Sequence, residues 1–577
     1  MGRPSFIKPS KPAGTSRRGF FQRSGSAAAV LAAAATLPLV AIARPSREGI
    51  AVFQHGVASG DPLQDRVILW TRVTPPNPAA VVAVRFEVAT DPAFTQTVAR
   101  GTTRTDESRD FTVKVDPARL RPGTTYYYRF LVGNEASPIG RTRTLPAGAT
   151  ARLRMAVASC SNHAAGLFNA YRRIAERADL DLVLHLGDYL YEYGPNQYGS
   201  LRTPEPPNEM VTLSDYRLRH AQYKRDADSQ AMHRQHPVVC IWDDHEIAND
   251  AWVGGAENHT EGAEGTWPGR VAVGLQAYYE WMPVRPPEMR SDVRPERGDP
   301  RRNQRSFHIG DLVELVMLEE RLSARSQQLP ATVPTPFGTG FVQTGEFLNP
   351  ARTLLGAKQE AWLATRLRTS PARWKFIGQG VMFAPLKLQG APLAAGGGVF
   401  VNSDQWDGYQ PARDRIYDVL KGAQGGQGGQ GQAPVDNVVV LTGDIHSSWA
   451  ADLSQDPNNP NVASGGYNGA TGEGSRAVEF VGTSITSPGL NDPNGSTAAF
   501  LRSVNPHFKY IDFTQRGYML LDVTPQRTVC EWWYVDTVVA PSNVQTFGTA
   551  FEVQFGSNRL QPSAMTTPVT NPPALAP

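Results

Sequence analysis

The sequence predicts an α/β domain preceded by an all-β domain, and two patterns carry this prediction. Over residues 54–145, short segments alternate apolar and polar residues between turn residues, as strands with one buried face do. Beyond them, continuous apolar runs end in polar clusters and are separated by helical patterns, which is typical of a parallel sheet covered by helices. At 577 residues the chain is long enough for two domains.

The all-β domain is predicted over residues 52–147. Segments such as "VAVRFEVAT" (82–90) and "TTYYYRFLVG" (124–133) have the two-residue period of strands. A proline and a glycine in "PAG" (146–148) mark the end of this domain. About 90 residues of such strands fit a β-sandwich of immunoglobulin-like or fibronectin-like size.

The α/β domain is predicted over residues 148–540, where six apolar runs end in polar residues. Parallel strands formed by these runs would place their carboxyl ends at one edge of a sheet. Beyond them, the Pro-rich segment 541–577 predicts a poorly ordered tail. The six runs are "LRMAVASC" (153–160), "LDLVLHLGD" (180–188), "PVVCIWDDHE" (237–246), "LVELVMLEER" (312–321), "WKFIGQGVMF" (374–383) and "DNVVVLTGDIH" (436–446).

The N-terminal segment 1–43 predicts a twin-arginine export signal. A pair of arginines in "TSRRGFFQ" (15–22) precedes an apolar run from about Ala27, and "AIA" (41–43) supplies small residues for cleavage after Ala43. The alternative is a basic tail followed by a helix. The signal predicts the twin-arginine export machinery as a partner and a periplasmic or extracellular location for the mature protein.

Composition excludes several other classes of protein. Hydrophobic residues make up 40% and charged residues 19% of the chain, and the net charge is +3. We therefore expect no nucleic-acid partner, and no segment of the mature chain is long and apolar enough to span a membrane. Three cysteines, Cys160, Cys240 and Cys530, are too few for a disulfide framework.

Four of the predicted strand ends carry residues that bind metals. One such cluster alone is equally typical of a turn, a solvated acidic patch or a core cysteine. Four clusters in one domain indicate a metal site, because parallel strands would bring them to the same edge. The residues are Cys160 after the first run, Asp188 and Tyr191 after the second, Asp244, His245 and Asn249 after the third, and Asp444 and His446 after the last.

The types of ligand predict two kinds of metal. Tyr191 lies three residues after Asp188, and a tyrosinate at neutral pH requires a strongly polarising cation. Together with the Cys160 thiolate and the His446 imidazole, these ligands suit trivalent iron better than zinc or magnesium. The oxygen donors of the third and fourth clusters favour Ca²⁺, Mg²⁺ or Mn²⁺ instead. Asp188 is placed to bridge the two sites.

These clusters resemble a known family. Their series is similar to that of calcineurin-like metallophosphoesterases, and "GDYLY" (187–191) resembles the Asp-x-x-Tyr of purple acid phosphatases. The variants "ASCSN" (158–162), "DDHE" (243–246) and "GDIH" (443–446) resemble the PhoD family of secreted alkaline phosphatases and phosphodiesterases. The resemblance runs from about residue 53 to 540 and includes "HGVASGDPLQDRVILWTRV" (55–73), "LLGAKQEAWL" (354–363), "NSDQWDGY" (402–409) and "NPHFKYIDFTQRGY" (505–518).

The resemblance implies a fold and a set of ligands. It implies a metallophosphoesterase-type catalytic domain of layered sheets and helices over residues 148–540. It further implies Fe³⁺ bound by Cys160, Asp188, Tyr191 and His446. It also implies Ca²⁺ held by Asp188 and Asp444, with Asp244 and Asn249 as further candidates between which the sequence does not decide.

The chain also departs from the family pattern at two places. "WKFIGQGVMF" lacks the usual Gly-Asn-Gln. In "MLEER" (317–321), Arg321 matches the usual Leu-Asp-Thr-Arg while Glu319 and Glu320 depart from it.

The resemblance implies the hydrolysis of phosphate esters by a hydroxide bound to the metals, with calcium orienting the phosphate. His245 is the candidate for stabilising the transition state or protonating the leaving group, the alternative being a structural histidine held by Asp243. Arg321 and His507 are candidates for contact with substrate, the alternative being buried salt-bridge or packing roles.

Three functions remain open at this point. The first is an alkaline phosphatase that hydrolyses monoesters with some phosphodiesterase activity. The second is a phosphodiesterase or phospholipase D-like enzyme acting on phospholipid or teichoic-acid-type diesters, and the third is a non-catalytic surface-binding protein with a structural metal. The sequence does not give the natural substrate, the number of calcium ions, the oligomeric state, or whether residues 500–577 cover the site.

Overall fold

The computed structural model describes residues 52–289, 299–335, 338–422 and 432–577. The predicted export signal, 1–43, lies outside the described residues. In the described ranges, no helix combines the length and the apolar character needed to cross a membrane.

The N-terminal region is rich in strands, as predicted. Its strands follow the alternating segments of the sequence, and turns at glycine, proline and aspartate separate them. They are β1 (Val57–Gly60), β2 (Ile68–Arg72), β3 (Val82–Ala89), β4 (Thr97–Thr105), β5 (Thr112–Val115), β6 (Thr125–Val132), β7 (Glu135–Ala136) and β8 (Gly140–Arg143).

The remainder of the chain mixes strands and helices. Each of the six predicted apolar runs contains a strand. The strands are β9 (Leu153–Ala158), β10 (Leu182–His185), β11 (Pro237–Cys240), β12 (Arg305–Ile309), β13 (Val313–Met317), β14 (Val333–Thr335), β15 (Gly338–Gly340), β16 (Trp374–Gln379), β17 (Lys387–Gly390), β18 (Gly398–Phe400), β19 (Val438–Thr442), β20 (Ser448–Leu453), β21 (Ala477–Val481), β22 (Phe508–Asp512), β23 (Arg516–Val523), β24 (Arg527–Val535), β25 (Gln545–Gln554) and β26 (Leu560–Pro562).

Helices connect many of these strands. Two of the longer ones follow the capping residues Thr212 and Thr266, whose side chains accept a hydrogen bond from the first turn. The α-helices of the described residues are α1 (Asn169–Ala175), α2 (Leu213–Arg225), α3 (Ala227–Gln235), α4 (Trp267–Trp281), α5 (Gly356–Thr369), α6 (Gln410–Lys421) and α7 (Ser496–Val504).

Two large sheets form the centre of the fold. A ten-stranded sheet has the order β26-β25-β24-β23-β9-β10-β11-β1-β2-β5, and a seven-stranded sheet has the order β12-β13-β16-β19-β21-β20-β22. In the first, β9, β10 and β11 run parallel, with Val183 opposite Ala156 on one side and Val238 on the other. In the second, β13, β16, β19 and β21 run parallel.

The sheets pack face to face, and helices cover their outer faces. Side chains such as Leu184 and Leu441 form one apolar core between the sheets. A second core joins α1, α2, α3 and α4 to the ten-stranded sheet, and a third joins α5, α6 and α7 to the seven-stranded sheet. The result is an α/β fold of four layers, in which each sheet has one face toward the other sheet and one toward helices.

The N-terminal region is not an independent sandwich. Strand β1 pairs in parallel with β11, with Ser59 opposite Pro237, so β1, β2 and β5 extend the ten-stranded sheet. The strands β3, β4, β6, β7 and β8 form a separate five-stranded sheet, and both layers share one apolar core. Alternation in the sequence identifies strands but not their partners, so the pairing of β1 with β11 was not part of the prediction for residues 52–147.

The C-terminal segment is also more ordered than the sequence predicted. Strand β25 begins at Gln545, so the sheet continues past the predicted end of the domain at 540. Further on, the Thr566 amide donates to Glu531 at 2.6 Å, and Gln235 exchanges two hydrogen bonds with Ala576 at 2.8 and 2.9 Å. Because side chains supply these partners, proline does not prevent the segment from docking in an extended form.

A lysine is buried behind the ten-stranded sheet. The Lys224 ammonium lies 2.7 Å from His233 Nε2 and donates to the Tyr189 hydroxyl at 3.0 Å. No carboxylate of the described residues lies within ion-pair distance of it. Burial lowers the pKa of Lys224 to about 7, because an unpaired ammonium is poorly solvated there.

Lys224→Met should flatten the pH dependence of the free energy of unfolding between about pH 7 and pH 10. The folded pKa is lowered from an ordinary value of about 10.4, so the unfolded chain binds an extra proton in this window and stability rises with pH. The lysine contributes a slope of about 1.4 kcal/mol per pH unit, which the variant loses. Urea unfolding at several pH values measures it. The exposed Lys358→Met is the control, and a difference from the parent that is constant with pH would refute the interpretation.

Removal of residues 563–577 should lower the melting temperature by several degrees while leaving the predicted metal ligands untouched. Gln235→Ala should cost about 1–2 kcal/mol in the full chain, since it loses two buried hydrogen bonds to Ala576. In the truncated chain the same substitution should cost almost nothing. Thermal unfolding of the four proteins tests this, and an equal cost in both backgrounds would show that the segment does not dock on Gln235.

Candidate metal centre

The predicted ligands meet where the two sheets come together. The loops after β9, β10 and β11 of one sheet and after β19 of the other supply them. The sequence predicted that one parallel sheet would carry all four loops. In the structure, two sheets carry them. Cys160, Asp188 and His446 are fully buried, and their ligand atoms all lie within 4.8 Å of one another.

Tyr191 joins this group. Its hydroxyl lies 3.1 Å from Asp188 Oδ2 and 3.1 Å from His446 Nε2, and it accepts a hydrogen bond of 2.6 Å from Ser487. The four residues predicted to bind iron are therefore brought to one place. A thiol, a carboxyl, a phenol and an imidazole at such distances form a set of donors suited to a transition metal.

The orientation of His446 suits a ligand. Its Nδ1 lies 2.9 Å from the carbonyl of Pro488, to which an Nδ1–H would donate. That tautomer leaves the lone pair of Nε2, the atom beside Tyr191, for a metal ion. A carbonyl partner on the far nitrogen is typical of metal-binding histidines.

Oxygen donors continue from this group into the neighbouring loop. Asp188, Asp244 and His245 form a second group of possible ligands, and Asp243, Asp244 and Asp444 form a third. Asp188 belongs to the first two groups and Asp244 to the last two, so the three groups are contiguous. Asp188 therefore stands at the position that a bridging ligand requires.

Asn249 lies in the same loop as Asp244 but is engaged differently. Its backbone N–H donates to Glu192 at 2.8 Å, and its side-chain amide donates to Glu257 at 3.1 Å. Between the two calcium candidates, Asp244 is the one whose carboxylate reaches both Asp188 and Asp444 in the groups above.

The predicted ligands have an uncommon backbone conformation. Cys160, Asp188, Asp444 and His446 have φ values of +60°, +54°, +62° and +56°. Residues with a Cβ occupy this left-handed region at a cost of about 1 kcal/mol or more, unless their surroundings impose it. Such conformations concentrate at functional sites, which supports a functional interpretation of these four positions.

Glu246 fixes two of the loops. Its carboxylate accepts hydrogen bonds from the backbone amides of Asp188 (3.1 Å), Tyr189 (2.7 Å) and Asp243 (2.9 Å). Burial, together with the charge of Asp188, raises the pKa of Glu246. In the sequence, Glu246 is the last residue of the motif "DDHE" (243–246), to which no separate role was assigned.

Arg321 lies among carboxylates of the centre. Its guanidinium is fully buried and donates to Asp243, to Asp404 at 2.9 Å and to Asp444 at 2.9 Å. The side chain therefore neutralises and positions carboxylates of the centre, which corresponds to the buried salt-bridge alternative. Gly380 admits this arrangement, because a Cβ there would lie 2.8 Å from the Asp243 carboxylate.

His507 is not part of the centre either. It is fully buried, its Nε2 lies 3.0 Å from the carbonyl of Pro385, and its ring packs on Phe508 with centroids 4.3 Å apart. None of the contacts that the structure gives it involves a predicted ligand. These contacts correspond to the packing alternative for His507.

His245 is held beside the centre by a partner that the sequence did not reveal. Its Nδ1 lies 2.7 Å from Glu192 Oε2, and its ring lies on that of Tyr191 with centroids 4.2 Å apart. Burial opposes protonation, but Asp244, Glu192 and Asp188 outweigh it and raise the pKa of His245 to about 10. Asp243, the partner expected from the sequence, is bound to Arg321 instead.

Tyr198 and Arg219 were also missed. Tyr198 is half-buried, its hydroxyl lies 3.1 Å from His446 Nδ1, and its ring is nearly parallel to that of His245. Arg219 donates to five backbone carbonyls, so it fixes the loop that carries both Tyr191 and Tyr198. The carbonyls belong to Tyr191, Tyr193, Glu205, Pro206 and Asn208.

Comparison with known proteins identifies the family of this chain. Residues 155–532 match the family described as PhoD-like phosphatase, and residues 40–146 match its N-terminal domain. Alkaline phosphatase D of Bacillus subtilis (strain 168) is 36% identical over 530 residues, which is 89% of this chain and 83% of that protein. A solved structure of PhoD is 35% identical with a TM-score of 0.76, covering 91% of this chain and 94% of that one. The chain therefore belongs to the PhoD-like phosphatase family and is a phosphoric ester hydrolase.

Proposed function

We propose that this phosphoesterase is an exported, metal-dependent enzyme that hydrolyses phosphate monoesters, with some activity on diesters. The observation that carries the proposal is the convergence of Cys160, Asp188 and His446, with the Tyr191 hydroxyl 3.1 Å from two of them. The export signal in residues 1–43 supports a location outside the cytoplasm.

The donors fit Fe³⁺ at one end of the centre and Ca²⁺ at the other. Cys160, Asp188, Tyr191 and His446 would hold iron, because thiolate and tyrosinate ligands favour a trivalent transition metal. Beyond the bridging Asp188, the oxygens of Asp244, Asn249 and Asp444 would hold calcium. Asp188, Asp243, Asp244 and Asp444 are four buried carboxylates grouped around Arg321, an excess of negative charge that also favours bound cations.

When bound, such metals lower the pKa of water and offset the charge that develops on the phosphate. The chain itself supplies position and a proton. Arg321 holds Asp243 and Asp444 in place, and Glu192 orients His245 through Nδ1. Because Glu192 occupies the Nδ1 side of His245, Nε2 is the ring nitrogen that would deliver a proton to a leaving oxygen.

Protein purified through its own export route should contain iron and calcium and should show a visible tyrosinate-to-iron absorption band. Tyr191→Phe should abolish the band, whereas Tyr189→Phe should retain it, since the Tyr189 hydroxyl bonds to Lys224 and Ser229 and not to a predicted ligand. Elemental analysis and visible spectroscopy measure both effects. Zinc alone, or a band that persists in Tyr191→Phe, would contradict the iron assignment.

The same preparations test hydrolysis. Cys160→Ala should lose the iron and reduce the hydrolysis of p-nitrophenyl phosphate by roughly 100-fold or more, because the centre loses an anionic ligand. Cys530→Ala is the matched control, as it removes another fully buried thiol from the core between the sheets. Full activity in a folded Cys160→Ala protein would show that the site is misassigned.

His245→Gln should lower kcat on alkyl phosphates by roughly 100- to 1,000-fold, and less on p-nitrophenyl phosphate. The difference arises because p-nitrophenolate departs without a proton, whereas an alkoxide requires one. Steady-state kinetics on both esters measures it, and the exposed His308→Gln serves as control. An equal loss on both esters would assign His245 a purely structural role.

A further inference from the structure

A phosphate substrate requires cationic partners besides the metals, and the arginine that the sequence suggested is already occupied. Arg321 is bound by carboxylates on every side that the structure shows. Another arginine lies nearby at a different strand end. Arg516 is the first residue of β23 and is half-buried.

The contacts of Arg516 leave part of its guanidinium without an anion. Its Nη1 donates to the carbonyls of Phe513, Thr514 and Gln515 at 3.4, 3.1 and 2.9 Å, which fixes the side chain against its own turn. Among the described residues, no carboxylate lies within ion-pair distance of it. Asp512, the acid in the same turn, accepts hydrogen bonds from the amides of Thr514 and Gln515 instead.

Nη2 of Arg516 lies against the loop that follows His446. A Cβ on Gly489 would lie 2.6 Å from Arg516 Nη2 and 2.8 Å from the carbonyl oxygen of His446. Because glycine has no Cβ, both of these atoms can pack closely against residue 489. The preceding residue, Pro488, is the partner of His446 Nδ1. The guanidinium is therefore placed at the His446 end of the metal centre.

The electrostatic neighbours of Arg516 agree with this location. Burial lowers the pKa of Arg516, and the ionisable groups of Tyr198, Asp512 and Cys160 act in the opposite direction. Cys160 is a predicted iron ligand, and Tyr198 is the half-buried ring beside His446. The guanidinium is therefore within electrostatic reach of both a predicted ligand and Tyr198.

We propose that Arg516 binds the phosphate group of the substrate and makes the enzyme prefer dianionic monoesters to monoanionic diesters. A planar guanidinium with unused N–H donors is suited to phosphate oxygens. A monoester carries nearly two negative charges above about pH 6, while a diester carries one, and Coulomb attraction scales with the charge. The inference rests on the proposed monoesterase function and names the residue that sets its substrate class.

Arg516→Gln should reduce kcat/KM for p-nitrophenyl phosphate by roughly 30- to 100-fold, and for bis(p-nitrophenyl) phosphate by about the square root of that factor. Competitive inhibition by inorganic phosphate should weaken in parallel with the monoester. Arg516→Lys keeps the charge and should recover part of the monoester preference. Equal losses on the two esters, unchanged inhibition by phosphate, or a lysine variant that behaves like Gln would each overturn the proposal.

Arg527→Gln is the matched control, because Arg527 lies at the opposite end of the β23–β24 hairpin in an exposed pair with Glu552. The melting temperature and the metal content of each variant show whether it is folded and loaded. A structural effect on the turn alone would lower both ester rates equally and leave their ratio unchanged. If the parent enzyme hydrolyses neither ester with its metals, the proposed function fails as well. If the parent is active but Arg516→Gln leaves the ratio of the monoester rate to the diester rate unchanged, only the inference about Arg516 fails.

Discussion

The carboxylate of Glu246 connects the two loops that present most of the oxygen ligands. It accepts three backbone N–H groups, two from the loop after β10 and one from the loop after β11. A buried carboxylate costs several kcal/mol unless such donors satisfy it, so the loops and the glutamate stabilise one another. Asp188 and Asp243 take their positions from this contact, and the strained φ of Asp188 persists because both ends of its loop are fixed.

A second buried polar group, the guanidinium of Arg321, connects loops of the two sheets. Arg321 comes from the loop after β13 of the seven-stranded sheet, and its guanidinium reaches Asp243 of the ten-stranded sheet and Asp444 of its own sheet. Removing one member of such a buried group leaves an uncompensated charge, which costs about 3–5 kcal/mol. The centre therefore depends on the register between the two sheets, and the apolar core between them contributes to function by holding that register.

The sequence predicted the strands and the ligands better than the connections between them. Apolar runs ending in polar residues identified β9, β10, β11 and β19, because burial on both faces excludes polar side chains until a strand ends. Which sheet a strand joins depends on long-range pairing, so the contribution of two sheets was not visible, nor was the pairing of β1 with β11. Glu192, Arg219 and Tyr198 were missed because their partners are distant backbone or ring atoms that no short motif encodes.

Access to the centre is decided by the few groups that are not buried. Cys160, Asp188 and His446 are almost fully inaccessible, whereas Tyr198 is half-buried beside them. The last residues of the chain are held elsewhere in the fold, because Ala576 docks on Gln235, at the end of α3, and Ala574 accepts from Tyr127 in the five-stranded sheet. Arg219 binds the carbonyls of Tyr193 and Pro206 on either side of Tyr198 in the chain, and Asn162 donates to the carbonyl of Tyr198 itself, so the loop that carries this ring is restrained.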